Sequence, residues 1–134
     1  MFALLIYSNY GYARQFGSPG PGPYQEEKIT KAIEKHFGTK RSIINGGIIV
    51  KTPIMAANLG NVSLRIESTV PLQKILILFD ANDDSYLATL LIPEDYNAED
   101  INYLLSFGMQ NPGYVVVVGE GKDGNLYFVK NLVQ

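Results

Sequence analysis

Short apolar runs separated by turn residues make up most of this chain, and this pattern indicates a protein rich in β-strands. The clearest case is the stretch 74–93, in which KILILFD and SYLATLLIP flank the polar, acidic turn ANDD. Apolar runs of this length between turn residues are typical of buried strands. We therefore predict a β-hairpin at the centre of a sheet, with the rest of the chain packed around it.

Further strands are predicted on both sides of this hairpin. Residues 61–69 alternate apolar and polar side chains, which predicts a half-exposed strand. The dipeptide Asn45-Gly46 lies between two isoleucine-rich arms and is typical of a tight hairpin turn. Residues 114–118 are a fully apolar run, YVVVV. An unprotected edge strand of this kind pairs with another chain, so we expect dimerisation through such an edge.

Two segments have the pattern of a helix. Residues 24–38 carry apolar side chains at helical spacing, with glutamates in the first turn and Gly38 as the C-terminal stop. Residues 97–108 begin with Asn97 and have Asp100 three positions later, which approximates a capping box. With the strands, these helices predict a single α+β domain over residues 1–134. We expect a single largely antiparallel sheet of about six to eight strands with two helices packed on it.

Composition and charge limit the classes of function. The chain has no cysteine, which excludes disulfides, thiolate metal sites and a cysteine nucleophile. Its apolar runs are too short to span a bilayer, and residues 1–7 lack the basic start of a signal peptide, so we expect a cytoplasmic protein without membrane contact. Residues 1–65 carry eight Lys or Arg and three Glu, whereas residues 66–134 carry three Lys and ten Asp or Glu. This asymmetry favours an oppositely charged partner or head-to-tail association, unless both halves mix at the surface.

The loop 8–23, SNYGYARQFGSPGPGP, is the first candidate site. Its alternating glycines and prolines exclude regular helix or sheet, and it leads into a helix N-terminus, where backbone N–H groups can hold an anion. Tyr10, Tyr12 and Tyr24 offer flat faces for stacking, and Arg14 is the only cation of the loop. We predict these four as ligand-binding residues, for a partner protein or for a nucleotide or other phosphorylated ligand. The alternative, an irregular connection that covers a sheet edge, stays open.

Three further features are interpreted as structural. The acidic turn at 80–84 partly matches a calcium-binding loop, but Ser85 and Leu91 occupy positions that need glycine and glutamate, which favours a solvated turn. His36, the only histidine, is interpreted as half-buried and structural. The basic residues Lys28, Lys31, Lys35, Lys40 and Arg41 are interpreted as a solvated helix face, because glutamates share that helix and the isoelectric point of 5.3 does not favour nucleic acid.

Residues 75–118 also resemble the early region of 3,4-dihydroxy-2-butanone 4-phosphate synthase. The resemblance lies in FDANDDSYLATLLIPEDYNAEDINYLLSFG followed by YVVVV, and it implies a strand, an acidic hairpin, a second strand, a helix and a further strand. Asp83 and Asp84 match the acidic start of the family's signature. Ser85, Tyr86 and Leu87 stand where its arginine and glutamate would be needed, so the activity is not carried over.

The sequence therefore predicts a non-catalytic binding or adaptor domain that self-associates as a homodimer and uses the loop 8–24 as its recognition surface. The alternative is a small-molecule binding protein for a nucleotide or phosphorylated ligand. An enzyme is the least favoured interpretation, because no nucleophile, acid–base pair or metal cluster can be assembled from the residues. No catalytic residue, metal ligand or cofactor is predicted.

Overall fold

The computed structural model describes residues 22–134, which form one long helix and eight strands. The helix α1 spans Glu26–Phe37, and a short 3₁₀ turn spans Ala98–Asp100. The strands, in chain order, are β1 Ile43–Asn45, β2 Ile48–Lys51, β3 Val62–Ser68, β4 Leu72–Phe79, β5 Tyr86–Leu91, β6 Asn102–Phe107, β7 Gly113–Gly121 and β8 Leu126–Val133. The predicted first helix and hairpin are both present, as α1 and β4–β5, but β5 lies at the edge of its sheet and not at the centre as predicted.

The strands form two sheets rather than one. The larger sheet has the order β1-β8-β7-β4-β5, and the smaller sheet has the order β2-β3-β6. All pairs are antiparallel except that of β1 with β8. The prediction of a single antiparallel sheet with two helices was therefore wrong. Residues 22–134 are mostly β, with one helix and a sheet of five strands facing a sheet of three.

Burial of the larger sheet on both faces explains its apolar runs. Ile75 and Ile77 of β4 point into the core between the two sheets, whereas Leu76 and Leu78 point to the other face, where α1 packs. The side chains of the central strand β7 alternate in the same way: Val115 and Val117 point into the core between the sheets, and Val116 and Val118 point towards α1. A strand buried on both faces has no polar face, so its sequence is continuously apolar. The order of layers is therefore helix, five-stranded sheet, three-stranded sheet.

The segment predicted as a second helix is mostly a strand. Its capping interaction exists, because the backbone N–H of Asn97 donates to Asp100 Oδ2 at 2.8 Å. The helical turn ends at Asp100, and β6 then pairs with β3 over its whole length. Leu105 enters the core between the sheets while Leu104 stays exposed, which is the two-residue period of a strand. The strand–helix–strand order implied by the resemblance is thus absent from this region.

Two further expectations about strands were wrong. Asn45-Gly46 does not close a hairpin, because β1 joins the larger sheet and β2 the smaller one. Gly46 and Gly47 both have positive φ, 107° and 78°, and they carry the chain from one sheet to the other. The run 114–118 lies in β7, between β4 and β8. It is internal, so no further strand can pair with it.

The two lateral sides of the sandwich differ. Near β2 and β8 the sheets are bridged by hydrogen bonds, since Gln134 N–H donates to Ile54 O and Ala56 N–H to Gln134 O, both at 2.8 Å. Asn131 Nδ2 donates to Val50 O at 2.9 Å on the same side. On the opposite side, β5 and β6 are edge strands. None of the helices described in residues 22–134 has the length and apolar character needed to cross a membrane.

Candidate functional site

Of the four predicted ligand-binding residues, the structure describes only Tyr24. Tyr10, Tyr12 and Arg14 lie in residues 1–21, outside the described part of the chain. Tyr24 is half-buried and immediately precedes α1. Its ring meets the edge of the Tyr114 ring, with centroids 5.3 Å apart and planes inclined by 69°. Tyr24 therefore lies in a structured region next to β7, and ligand binding by the four residues stays a prediction.

A lysine that sequence reasoning did not single out completes this cluster. Lys130 Nζ lies 3.9 Å from the Tyr24 ring centroid and 5.4 Å from that of Tyr114. Both distances fall in the range of a cation–π interaction. Tyr24, Tyr114 and Lys130, which we call the tyrosine–lysine cluster, come from the start of α1, from β7 and from β8. No local motif joins these positions in the sequence, so their proximity could be seen only in the fold.

The electrostatic environment of Tyr24 is negative. Burial first, and then the charges of Asp80 and Glu26, together raise the pKa of Tyr24 to about 12. Burial and nearby negative charge both disfavour the phenolate. Tyr24 is therefore a neutral phenol at physiological pH, at a place that favours positive rather than negative groups.

This raised pKa predicts how stability depends on pH. Folded Tyr24 keeps its proton up to a pKa of about 12, whereas an unfolded tyrosine loses it at about 10. The stabilisation is complete below the unfolded pKa and is lost as the pH rises from about 10 to about 12. We expect Tyr24→Phe to lose less stability than the wild type over this window, measured as the urea midpoint. An equal loss in both proteins would contradict this expectation.

Asp80 fixes the start of α1 to the larger sheet. Its side chain is only 2% exposed, with Oδ2 accepting from the backbone N–H of Gln25 at 3.0 Å and Oδ1 from that of Tyr114 at 2.8 Å. Lys28 Nζ donates to the carbonyls of Asp80 and Asn82 at 3.0 and 2.8 Å. The Asp80 carboxylate is therefore engaged by backbone N–H groups. The turn was predicted to be solvated; this is wrong for Asp80, which is buried and holds two backbone N–H groups, whereas Asp83 and Asp84 are exposed.

A groove opens beside the tyrosine–lysine cluster, with a volume of about 350 Å³. It runs between α1 and the strands β1 and β8. Buried Ile29 and Ile33 and half-buried Phe128 contribute apolar surface, while Glu26 and Lys130 contribute one charge of each sign. The complete lining is Tyr24, Glu26, Ile29, Thr30, Ile33, Ile43, Asn45, Phe128 and Lys130. Tyr24, which directly follows the predicted recognition loop 8–23 in the sequence, is part of this lining.

One wall of this groove is the edge strand β1. Leu126 N–H donates to Ser42 O at 2.8 Å and Gly46 N–H to Phe128 O at 3.0 Å. Alternation along a parallel pair then turns the backbone groups of the intervening Ile43 and Asn45 away from β8, towards the open edge. Ile43 is 53% exposed. Within residues 22–134 no strand pairs with this edge, so an extended segment could bond there.

The only histidine of the chain has structural contacts. The His36 ring stacks on Tyr86 of β5, with centroids 5.4 Å apart and an interplanar angle of 8°. Its Nδ1 lies 2.9 Å from Ala32 O, one helical turn earlier. In the described residues no group of three or more His, Cys, Asp or Glu could hold a metal ion. These contacts support the structural interpretation of His36.

Comparison with known proteins identifies the fold but no family. No family model and no curated protein matches the chain. Among solved structures, it is similar to the sulfur carrier protein SoxY from Chlorobium limicola f. thiosulfatophilum, with a TM-score of 0.72 and 24% identity over 83% of this chain and 94% of that one. It is also similar to the superoxide reductase (neelaredoxin) from Ignicoccus hospitalis, with a TM-score of 0.55 and 9% identity over 83% of this chain and 92% of that one. Because both identities are below 25%, the comparison shows a shared fold and nothing more.

Proposed function

We propose that this chain is a non-catalytic binding domain that recognises an extended segment of a partner protein in the groove between α1 and β1. The observation that carries the proposal is this groove, which has an apolar floor, an open strand edge as one wall and Tyr24 at one end. Strand addition combines main-chain hydrogen bonds with pockets for alternate side chains. The loop 8–23 directly precedes Tyr24 of the groove lining in the sequence, and in this proposal Tyr10, Tyr12 and Arg14 would extend the same surface.

The chemistry in the names of the structural neighbours does not fit these residues. Carriage of sulfur on a side chain needs a thiol, and the 134 residues contain no cysteine. Reduction of superoxide needs an electron-transferring group. The described residues offer no cluster for a redox metal, and the whole chain has one histidine. A role in protein interaction, which is all we carry over from the comparison with a carrier protein, needs neither group.

The alternative, a nucleotide or another phosphorylated ligand, gains no support from the described half of the site. Gln25 N–H at the start of α1 is already bound by Asp80, and Glu26 and Glu27 occupy the first helical turn. Negative charges at this end oppose a second anion. A melting temperature that rises with a nucleotide or sugar phosphate, and no longer rises in Arg14→Ala, would favour this alternative.

Blocking the groove should abolish peptide binding. We expect peptides selected from a random display library on the full chain to bind at least about tenfold more weakly to Thr30→Arg, measured by fluorescence anisotropy. Thr30 is an exposed residue of α1 that lines the groove, so an arginine there fills the space without entering the core. Ser63→Arg, at an exposed position of β3 in the smaller sheet, is the control and should bind normally.

Peptides that bind equally to Thr30→Arg and wild type would place recognition elsewhere and contradict the proposal, as would a selection that yields no binder.

The same samples report oligomeric state by light scattering. We also propose that the chain self-associates as a homodimer. Since β7 is internal, a strand-pairing contact between two copies cannot use 114–118, and the edge strands of the two sheets in residues 22–134 are β1, β5, β2 and β6.

A further inference from the structure

In residues 22–134, the side of the sandwich formed by β5 and β6 lacks the protection that edge strands normally have. Neither Tyr86–Leu91 nor Asn102–Phe107 contains a charged residue or a proline. Lysines, prolines and inward charges are the usual means by which an edge is kept from pairing. The one irregularity in β5 is a register shift opposite Ile77 and Leu78. It leaves residues 88–91 as a regular, uncharged edge.

The backbone of β5 offers hydrogen-bonding groups to this side. Ile92 N–H donates to Gln73 O at 3.1 Å, and the register of β4 with β5 continues from there. In an antiparallel pair, alternate residues bond to the neighbouring strand and the intervening ones face away from it. Thr89 and Leu91 are therefore the residues whose N–H and C=O groups face the open edge. Leu91 is also 77% exposed, which is unusual for a leucine in a strand.

A cleft beside this edge can receive apolar side chains. It lies between β5 and β6, has a volume of about 150 Å³, and is lined by Leu64, Ile77, Leu87, Ala88, Leu105, Ser106 and Phe107. Side chains of a strand alternate between the two faces of its sheet. An additional strand beside β5 would therefore direct every second side chain towards this cleft. The opposite side of the sandwich, closed by Gln134 and Asn131, has inter-sheet hydrogen bonds in the corresponding place.

The charges around β5 determine which segment fits. Between Ile75 and Gly121 the chain contains eight Asp or Glu and no Lys, Arg or His. The fold brings one lysine to each turn beside β5: Lys28 donates to the carbonyls of Asp80 and Asn82, and Lys122 donates to those of Glu94 and Tyr96. Exposed Asp83 and Asp84 precede β5, and exposed Glu94 and Asp95 follow it. A second copy paired antiparallel through β5 would bring the acidic start of one strand beside the acidic end of the other, which like charges oppose. Each turn has two exposed carboxylates against one lysine, so a segment with basic flanks meets a net negative charge at both ends.

We propose that the β5 edge is a second docking surface, for an extended apolar segment of a partner protein with Lys or Arg on both flanks. The segment pairs with Thr89 and Leu91 through its backbone, places alternate apolar side chains in the cleft between β5 and β6, and directs its basic flanks to the two acidic turns. This surface does not include the groove beside Tyr24. A failure of one proposal therefore leaves the other standing.

Two synthetic peptides test the charge requirement on the full chain. One has an alternating valine–threonine core with a pair of lysines at each end, and the other has the same core with glutamates at the ends. We expect the lysine-flanked peptide to bind at least about tenfold more tightly at low salt, and its affinity to fall as salt is added. Equal affinities for the two peptides, or no binding of either, would overturn the proposal.

Matched substitutions locate the binding. Leu91→Lys places a charge on the edge and should weaken the lysine-flanked peptide at least about tenfold. Ile54→Lys is the control, because Ile54 is also 77% exposed but lies on the closed side, and it should bind like the wild type. Both positions are exposed, so both variants should keep the wild-type melting temperature. Retention of binding in Leu91→Lys would place the peptide elsewhere and contradict the assignment.

Removing a carboxylate charge at each end of β5 distinguishes charge attraction from shape complementarity as the source of binding. Asp83→Asn with Glu94→Gln should weaken the lysine-flanked peptide about threefold or more and flatten its salt dependence, whereas Glu27→Gln with Glu67→Gln should leave both unchanged. Equal effects of the two double substitutions would show that only the net charge of the protein matters, and would contradict a specific role for Asp83 and Glu94. A homodimer that dissociates in Leu91→Lys alone would show that a second copy occupies the edge, which also overturns the proposal.

Discussion

Asp80→Ala is expected to remove about 3 kcal/mol from the free energy of unfolding, measured by urea denaturation at neutral pH. The substitution leaves the N–H groups of Gln25 and Tyr114 without their acceptor, at a side chain that is only 2% exposed. A buried donor that loses a charged acceptor bears its whole desolvation cost, which makes this loss larger than that of an ordinary hydrogen bond. Asp80→Asn keeps the shape but only one acceptor oxygen, and should lose about half as much.

Asp83→Ala is the control for this experiment, because Asp83 belongs to the same turn but is exposed. We expect it to change stability by less than about 0.5 kcal/mol. Similar losses of stability in the two alanine variants would show that the turn acts through its total charge. They would contradict the role of Asp80 as the acceptor of the Gln25 and Tyr114 N–H groups. Since Gln25 follows Tyr24 directly, Asp80→Ala should also weaken peptide binding in the groove beside α1.

The sequence predicts α1 well because the signals for a helix are local. Apolar spacing places Ile29 and Ile33 on the buried face, and Gly38 ends the helix at φ 84°, where most residues would be strained. The segment 97–108 shows the limit of the same reasoning. Adjacent Leu104 and Leu105 suit both a helix and a strand, and the Asn97–Asp100 cap forms in either case. Pairing with β3, which is distant in sequence, decided for the strand.

The division into two sheets could not be predicted from strand patterns. An isoleucine-rich arm on each side of Asn45-Gly46 has the composition of a hairpin, and the choice between a hairpin and a crossover depends on the partners that each arm finds. In this fold β1 pairs with β8, and β2 pairs with β3. Strand composition indicates how many strands to expect, whereas their partners are set by long-range contacts.

The candidate sites divide in the same way. Tyr24 could be singled out, because an aromatic residue at the junction of an unusual loop and a helix is visible in the sequence, and its role in ligand binding stays a prediction. Asp80 is 55 residues from Gln25, to which it is bound, and Lys130 is farther still along the chain. The exposed edge of β5 was also hidden, because its apolar run has the pattern of a buried central strand. Exposure of such a run is a property of sheet order, which composition does not reveal.

Gly47→Ala is expected to destabilise the protein by about 3 kcal/mol, measured by urea denaturation. The position has φ 78°, which costs an alanine roughly 1 kcal/mol. A Cβ there would also meet the ring of Tyr127, a buried side chain whose hydroxyl donates to Asp123 Oδ2 at 2.6 Å and which therefore cannot move freely. The neighbouring Gly46 has φ 107° but open space around its Cβ position, so Gly46→Ala should lose only about 1 kcal/mol. The difference isolates the contact with Tyr127 from backbone strain. Equal losses at the two glycines would show that the crossover between the sheets depends on backbone conformation alone, and that the ring does not hold the chain at this point.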